Sequence, residues 1–438
     1  MRKIAFYTLG CKVNQADTAS MEAIFRRAGY QVVDFSDQSA DVYLVNTCVV
    51  TNTGQRKSRQ IINRAVRHNP MALTVVTGCY PQTAPEEVKA IEGVDVIIGN
   101  QERGRIVELV EEALGDKRAE VLDNVQKMTV DTRFEELAAG TETDKTRGFL
   151  KIQEGCNQFC TYCIIPFARG PLRSRSLESI EEEVAKLTAA GYKEVVLIGI
   201  HLGCYGKEIK DRHITLYDAV QAALKVPALK RLRLGSLESV EVEPRLLELM
   251  AKEPRICRHL HLPLQSGCDK VLQAMHRPYS TERYAALLQE IRSKVPDIAV
   301  TTDVITGFPG ETEEDFAATE RFAAACGFAK MHIFPYSKRQ GTPAASMPGQ
   351  IDEAVKQDRA ARLAVLERRL QHEELLRRVG SVTEVLFEQP VDAEHIEGLC
   401  GAYLRVVVQA PCSMCGEIAR VKITGIQDDF LLGELTAE

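Results

Sequence analysis

The sequence predicts an α/β chain in three parts. A doubly wound α/β domain spans residues 1–120. After a linker at 121–146, a partial (β/α)6 barrel with a trailing helix spans 147–378, and a small β-barrel spans 379–438. Three observations carry this expectation. Short apolar runs alternate with helical patterns in the first part, which is the signature of a parallel sheet covered on both faces. Six further strand–helix units recur before residue 350, fewer than the eight of a complete barrel. Beyond Gly380 the pattern changes to short strands separated by turns.

In the first part the strand-like runs are Ile4–Leu9, Val42–Asn46, Leu73–Thr77 and Val94–Ile98, with helical patterns at Ala19–Ala28, Arg56–Arg67, Pro85–Ala90 and Ile106–Leu114. Each run but the last is followed within two residues by a cysteine: "TLGCKVN", "VNTCVV" and "VTGCYP" place Cys11, Cys48 and Cys79 at one repeated topological position. The carboxyl ends of strands form the ligand crevice of an open α/β sheet, so the three are expected to converge there. The stretch 121–146 is polar and weakly periodic and reads as a linker. The barrel strands are expected at Phe149–Gln153, Glu194–Gly199, Arg231–Gly235, Arg258–Leu262, Ala299–Ile305 and Lys330–Phe334. Residues 351–378 read as one charged helix ending at Gly380, a glycine suited to the position after a helix. "VTEVLFE", "YLRVVVQ", "IARVKITGI" and "FLLGEL" supply the strands of the last part.

Composition narrows the chemistry. No stretch of the sequence approaches the length of a membrane-spanning helix, and its first residues do not form a signal peptide, so a cytoplasmic protein is expected. In that compartment 13 cysteines, an odd number, are not a disulfide framework. The net charge of −6 does not favour nucleic-acid binding overall. Locally, however, no acid occurs between Val42 and Pro85, where Arg56, Lys57, Arg59, Arg64 and Arg67 lie. That stretch is either an anion-binding face or a solvated helix whose acidic partners lie elsewhere. The last part holds ten acids and three bases, which weighs against its gripping RNA.

The densest chemistry is "CNQFCTYC", with Cys156, Cys160 and Cys163 spaced C-x3-C-x2-C in the loop after the first barrel strand. Loops after barrel strands are where such folds place their active sites. A structural zinc site is four-coordinate and would need a further ligand such as Cys204 or a histidine. A [4Fe–4S] cluster held by three cysteines leaves one iron open.

This spacing, with an aromatic residue before the last cysteine, resembles the radical S-adenosylmethionine (SAM) superfamily. The resemblance implies that Cys156, Cys160 and Cys163 bind three irons, that the fourth iron chelates SAM, and that Tyr162 packs by the adenine. Other strand ends suit a bound cofactor: Gly199 after the second strand, Ser236 and Glu238 after the third, His261 at the end of the fourth and Asp303 in the fifth. His259 lies on the same strand face as His261, and one of the two is expected to be a core residue.

The three-part order as a whole resembles the methylthiotransferases, which join an N-terminal domain, a radical SAM barrel and a C-terminal TRAM domain. In that family three N-terminal cysteines, matched here by Cys11, Cys48 and Cys79, hold a second [4Fe–4S] cluster. The resemblance implies two SAM molecules per turnover, one yielding a 5′-deoxyadenosyl radical and one methylating the inserted sulfur. It also implies a low-potential electron donor of flavodoxin or ferredoxin type. "TLGCKVNQADT", "NTCVVTNTGQRKSRQ" and "GCNQFCTYCIIPFARGPLRSR" are most similar to the branch acting on C2 of N6-threonylcarbamoyladenosine beside the tRNA anticodon. Sister branches act on isopentenyladenosine or on a ribosomal protein. The basic helix just after Cys48 fits an RNA substrate, with Arg56, Lys57 and Arg59 expected to contact backbone phosphates. "PCSMC", with Cys412 and Cys415, matches no ligand set of the family.

Overall fold

The structure, a computed structural model, describes residues 1–115, 121–141, 145–210 and 213–436. Residues 142–144 of the expected linker lie outside the described residues. So do 116–120 of the first expected domain, 211–212 of the second and 437–438 of the third.

The first part is a six-stranded parallel sheet. In chain order its strands are β1 (Lys3–Thr8), β2 (Gln31–Val33), β3 (Val42–Thr47), β4 (Leu73–Gly78), β5 (Val96–Ile98) and β6 (Leu122–Asn124). Their order across the sheet is β2-β1-β3-β4-β5-β6. The central strands β3 and β4 are buried at every residue, as expected for a parallel sheet with helices on both faces. Two strands correct the sequence reading. β2 and β6 are three-residue edge strands, too short to show a period, and β6 takes Leu122–Asn124 out of the expected linker and pairs it with β5. The first helix is also longer than the pattern suggested, running Lys12–Arg27 directly from Cys11.

The second part contains the six expected parallel strands β7 (Arg147–Glu154), β9 (Glu194–Gly199), β10 (Arg231–Leu234), β11 (His259–His261), β12 (Ala299–Thr306) and β13 (Lys330–Pro335). A two-residue strand, β8 (Arg173–Ser174), runs antiparallel to β7 and was not foreseen. The ladder is thin between β10 and β11, where isolated bridges Leu232–Ile256 and Ser236–His261 stand in for continuous pairing. Strand residues alternate between two faces. Leu150, Ile152, Val195 and Leu197 pack into the apolar layer shared with the surrounding helices. Val196, Ile198 and Phe149 face the other way, where they meet Val13 and Ala16 of helix Lys12–Arg27. The first helix of the N-terminal part therefore packs on the inner face of the partial barrel.

The helix Glu353–Arg378 crosses to the last part, with Gly380 at φ +86 just beyond it. There β14 (Val382–Pro390), β15 (His395–Cys400), β16 (Arg405–Gln409), β17 (Ile418–Gln427) and β18 (Phe430–Leu435) form a closed barrel. The sequence reading missed β15. This barrel seals the amino-terminal ends of the partial barrel. Arg231 and Arg233, both paired with Glu194, donate to the carbonyls of Leu399 (2.8 Å), Cys400 (3.1 Å) and Gly401 (3.1 Å). Tyr403 stacks on His259 at 4.9 Å. No helix among the described residues is long and apolar enough to cross a membrane.

Candidate active site

Cys11 caps helix Lys12–Arg27, Cys48 follows β3, and Cys79 opens the short helix after β4. β1 and β3 are neighbours although β2 lies between them in sequence, so the sheet reverses its winding there. This reversal is the point at which doubly wound sheets open a crevice. Gly10 stands in it at φ +97, and a β-carbon on it would lie 2.8 Å from Cys48 Sγ. The two thiol-bearing turns meet this closely only because residue 10 has no side chain. Backbone N–H groups of Val13 and Asn14 face Cys11, that of Val50 faces Cys48, and Asn100 Nδ2 lies 3.8 Å from Cys79 Sγ. Burial pushes the Cys48 thiol up to about 11; desolvation of its thiol and the nearby Cys79 raise that of Cys11, although this residue reaches the surface. Gly10→Ala is expected to cost about 1–3 kcal/mol through its backbone angle alone. Its overlap with Cys48 adds to this, and the measurement is iron content together with thermal unfolding.

The second triad lies in the loop after β7. Cys163 N–H donates to the Cys160 carbonyl at 3.0 Å, closing a tight turn between the two thiols. Cys156 Sγ accepts from Gln158 N–H at 3.4 Å and lies 3.3 Å from His201 Nδ1. Cys160 Sγ accepts from Arg277 Nη1 at 3.2 Å. Arg277 also pairs with Glu238 and with the Tyr279 hydroxyl. Burial pushes Cys163 up to about 12, and the neighbouring thiols Cys160 and Cys156 add to the rise. Tyr162 is half-buried against Val271, Met275, Phe308, Tyr336 and Ala344.

One buried charge network joins the two triads. Asp17, on the helix that Cys11 caps, pairs with Lys151 (2.5 Å), Arg169 (3.0 Å) and Arg103 (3.2 Å). Glu154, at the end of β7, pairs with Lys151 (2.7 Å) and Arg169 (2.5 Å). Arg169 also donates to Asn14, and the Ala168 carbonyl accepts from Asn100 Nδ2 at 2.6 Å. Arg169 lies six residues past Cys163, in helix Ile165–Arg169, whose Ile164 and Ala168 neighbours join the apolar core of the N-terminal sheet. Its positive charge stabilises the thiolate form of Cys11. The cysteine loop of the barrel is thus continuous, through one short helix, with the domain that carries the other three cysteines.

The remaining predicted residues divide into those the fold brings together and those it uses otherwise. His261 Nε2 lies 3.3 Å from Asp303 Oδ1, and His332, which the sequence reading missed, is close enough to complete a group of three possible metal ligands with them. His259 is the core member of its pair: it is buried, hydrogen-bonds the Thr301 hydroxyl at 3.0 Å and stacks on Tyr403. Glu238 is engaged by Arg277, while Ser236 is exposed beside β11. Gly199 was expected to admit a ligand to the backbone. A β-carbon there would instead meet the side chain of Gln153 at 2.8 Å, so its smallness serves the packing of β9 on β7. Arg56 and Lys57 are exposed on helix Asn52–His68 with no acidic partner among the described residues. Arg59 differs, since Glu87 lies 3.9 Å away, and it is only partly free for an anion. Neither Arg277, His201 nor Glu241 carries a sequence signal of its own. Only the closeness of His201 to the end of the second barrel strand marks it.

A partial β/α barrel with three cysteines after its first strand, joined to a doubly wound sheet, defines a radical SAM enzyme with an added α/β domain. Residues 150–323 match the radical SAM superfamily, and residues 3–99 match the uncharacterized protein family UPF0004. The chain belongs to the methylthiotransferase family of radical SAM enzymes. It is 43% identical over 428 residues to threonylcarbamoyladenosine tRNA methylthiotransferase MtaB of Bacillus subtilis, covering 97% of this chain and 94% of that one. To the protein of the same name in Aquifex aeolicus it is 40% identical, over 85% and 89% of the two chains. A tRNA-2-methylthio-N(6)-dimethylallyladenosine synthase of Thermoanaerobacter is 34% identical, over 98% and 91%. Among solved structures, the radical SAM methyltransferase TsrM of Kitasatospora setae shares the fold at a TM-score of 0.57 and 18% identity, over 79% and 77% of the two chains.

Membership implies SAM and a [4Fe–4S] cluster. The residues after β7 fit such a group. All three thiols are free of disulfides and sit within reach of N–H donors, and among the described residues Arg277 is the only arginine or lysine hydrogen-bonded to one of them. Burial that raises buried thiols is relieved when a cation is placed among them.

Proposed function

We propose that the chain inserts a methylthio group at C2 of N6-threonylcarbamoyladenosine beside the tRNA anticodon, using two [4Fe–4S] clusters. Cys156, Cys160 and Cys163 hold one cluster and leave a position for SAM, with Tyr162, Gly199, Ser236, Glu238, His261 and Asp303 around it. Cys11, Cys48 and Cys79 hold the other. The observation that supports this reading is the buried charge network of Asp17, Lys151, Glu154 and Arg169, which ties the helix begun at Cys11 to the loop of Cys156, Cys160 and Cys163. When bound, these groups supply one-electron cleavage of SAM and the sulfur that is transferred. The residues of the chain fix the distance between the two sites and exclude water from it, because the joining side chains are themselves buried.

The choice of nucleoside is supported by three relatives named threonylcarbamoyladenosine tRNA methylthiotransferase at 36–43% identity, a fourth of that name standing at 32%. Relatives named for dimethylallyladenosine reach 34%. Comparing modified nucleosides by mass spectrometry in cells with and without the gene tests it. Loss of 2-methylthio-N6-threonylcarbamoyladenosine is the expected result. Loss of the isopentenyl analogue instead overturns the assignment.

Substrate tRNA reaches the site over helix Asn52–His68, whose first turn is tied to the loop after β13. Arg339 donates to Asn52 Oδ1 (2.6 Å) and Gln55 Oε1 (2.8 Å) there. Arg56 and Lys57 contact backbone phosphates, and Arg59 contributes less because Glu87 competes for it. Replacing both Arg56 and Lys57 by alanine is expected to weaken tRNA binding and to lower the slope of log K against log salt by about 2, one per phosphate contact. Binding measured across a potassium chloride series checks it. A flavodoxin- or ferredoxin-type protein delivers the electrons.

A further inference from the structure

Among the described residues, His201 is the one histidine set against a sulfur of the barrel triad. Its Nδ1 lies 3.3 Å from Cys156 Sγ, and on its other side Nε2 lies 3.0 Å from Glu241 Oε2. The ring is held in place. The His201 backbone N–H donates to Gln153 Oε1 at 2.6 Å, and the side chain is 7% exposed. Glu241 is fixed as tightly. Its Oε1 accepts from the Cys204 thiol at 2.7 Å and from Lys207 at 3.1 Å, and a β-carbon on Gly203 would lie 2.5 Å from its Oε2. The carboxylate therefore approaches the imidazole over a residue that must be glycine.

His201, Cys204 and Glu241 also group closely enough to ligate a metal. Lys207 Nζ, however, stands 3.4 Å from Cys204 Sγ and 3.1 Å from Glu241, so a cation already occupies that side of the cluster. The arrangement instead resembles the outer partners of a metal site, where a carboxylate orients an imidazole that acts on a ligand atom.

We infer that His201, held by Glu241, is a positioning residue that sets the reduction potential of the cluster on the barrel cysteines, by donating Nδ1–H to the Cys156 sulfur. This rests on the reading of Cys156 as an iron ligand. A metal-bound thiolate only accepts hydrogen bonds, so Nδ1, set against it, is the nitrogen that carries a hydrogen. Reduction adds negative charge to the cluster, and part of that charge falls on its sulfurs. An N–H donor at a ligand sulfur stabilises the reduced form more than the oxidised form and raises the potential. Removing the donor lowers it, and a given electron donor then reduces a smaller fraction of the enzyme.

The test uses the full chain with Cys11, Cys48 and Cys79 replaced by alanine, so that only the barrel site contributes to the signal. After anaerobic reconstitution, iron content and a redox titration followed by electron paramagnetic resonance are measured. His201→Leu is expected to keep its iron while its reduction constant falls about tenfold, equivalent to about 59 mV for a one-electron couple. His201→Asn, whose amide N–H can stand near the position of Nδ1–H, restores most of the shift. Glu241→Gln moves the potential in the same direction as His201→Leu, by less. An unchanged potential in His201→Leu with its iron intact overturns the inference. Should that variant fail to hold iron, unchanged potentials in both His201→Asn and Glu241→Gln overturn it equally. Cys156→Ala separates the two levels: retained iron and signal there remove the ligand reading and the inference with it. Loss of signal there, together with unshifted His201 variants, removes the inference alone.

Discussion

Cys48→Ala is expected to retain formation of 5′-deoxyadenosine from SAM and to abolish the methylthio product. Cys48 lies at the crevice of the N-terminal sheet, beside Gly10 and within electrostatic reach of Cys11 and Cys79. Among the interactions that act on its thiol, those of Val50, Cys79, Cys11 and Arg169, none comes from Cys156, Cys160 or Cys163. The loop that holds those three is anchored by other means: Thr161 N–H to the Met275 carbonyl (3.1 Å), the Thr161 carbonyl to Ala344 N–H (2.8 Å), and Arg277 to Cys160. Removing one thiol from the first triad leaves that anchoring in place. Product formation should fall by at least about 10²-fold, the scale on which loss of a positioned reactive group acts. Chromatography of 5′-deoxyadenosine and mass spectrometry of the tRNA nucleosides read the two steps separately. Loss of both together overturns the division of roles between the triads.

Asp17→Asn is expected to destabilise the joined N-terminal and barrel parts by about 3–5 kcal/mol, the cost of breaking a buried ion pair by removing one partner. Asp17 is the acid that Arg103, Lys151 and Arg169 share. Without its charge the three cations, all of them buried, are left with Glu154 and the nearby Glu135. Burial by itself would raise the Asp17 carboxyl, but Arg103, Lys151 and Arg169 more than offset it and hold it below the ordinary range. Glu154 is held down likewise by Lys151 and Arg169 against its burial. A lowered carboxyl contributes stability above its unfolded value, at about pH 4, and loses it as pH falls toward the folded value. Wild type should accordingly lose the association between the two parts below about pH 4, a loss the Asp17→Asn protein shows less steeply. Adding Lys151→Met to Asp17→Asn removes one stranded cation and should recover part of the loss. Thermal and denaturant unfolding of the single and double variants measure this coupling. Strict additivity of the two changes would show that the network does not act as a unit.

The strands of the N-terminal sheet that were legible in the sequence are those buried on both faces, since a continuous apolar run leaves a signal at any register. β2 and β6 were not legible because three residues at a sheet edge carry no period. β15 was missed because "HIEGLC" alternates weakly and has a glycine in its middle. The six cysteines of the two triads stood out by spacing or by repeated position after strands. Arg277, His201 and Glu241 did not, because each acts through a contact with a residue 39 to 117 positions away, and one chain's sequence carries no mark of such a pairing. The glycines divide in the same way. The sequence marked Gly199 as a ligand-side residue, whereas its neighbour is Gln153. Gly10, unremarked in "TLGCKVN", is the one pressed against a cysteine sulfur.

By itself, the sequence determined the kind of chemistry: three thiols at C-x3-C-x2-C after a barrel strand, and three more after successive strands of a parallel sheet. Those are local facts, fixed by spacing and period. Tertiary structure decided that one buried charge network ties the elements bearing the two triads together. It did so through Asp17, Lys151, Glu154 and Arg169, charges that exclude water only in one another's company. The same structure decided which nitrogen faces which sulfur, because hydrogen bonds a few ångströms long are set by the packing of whole elements and not by the order of residues within any one of them.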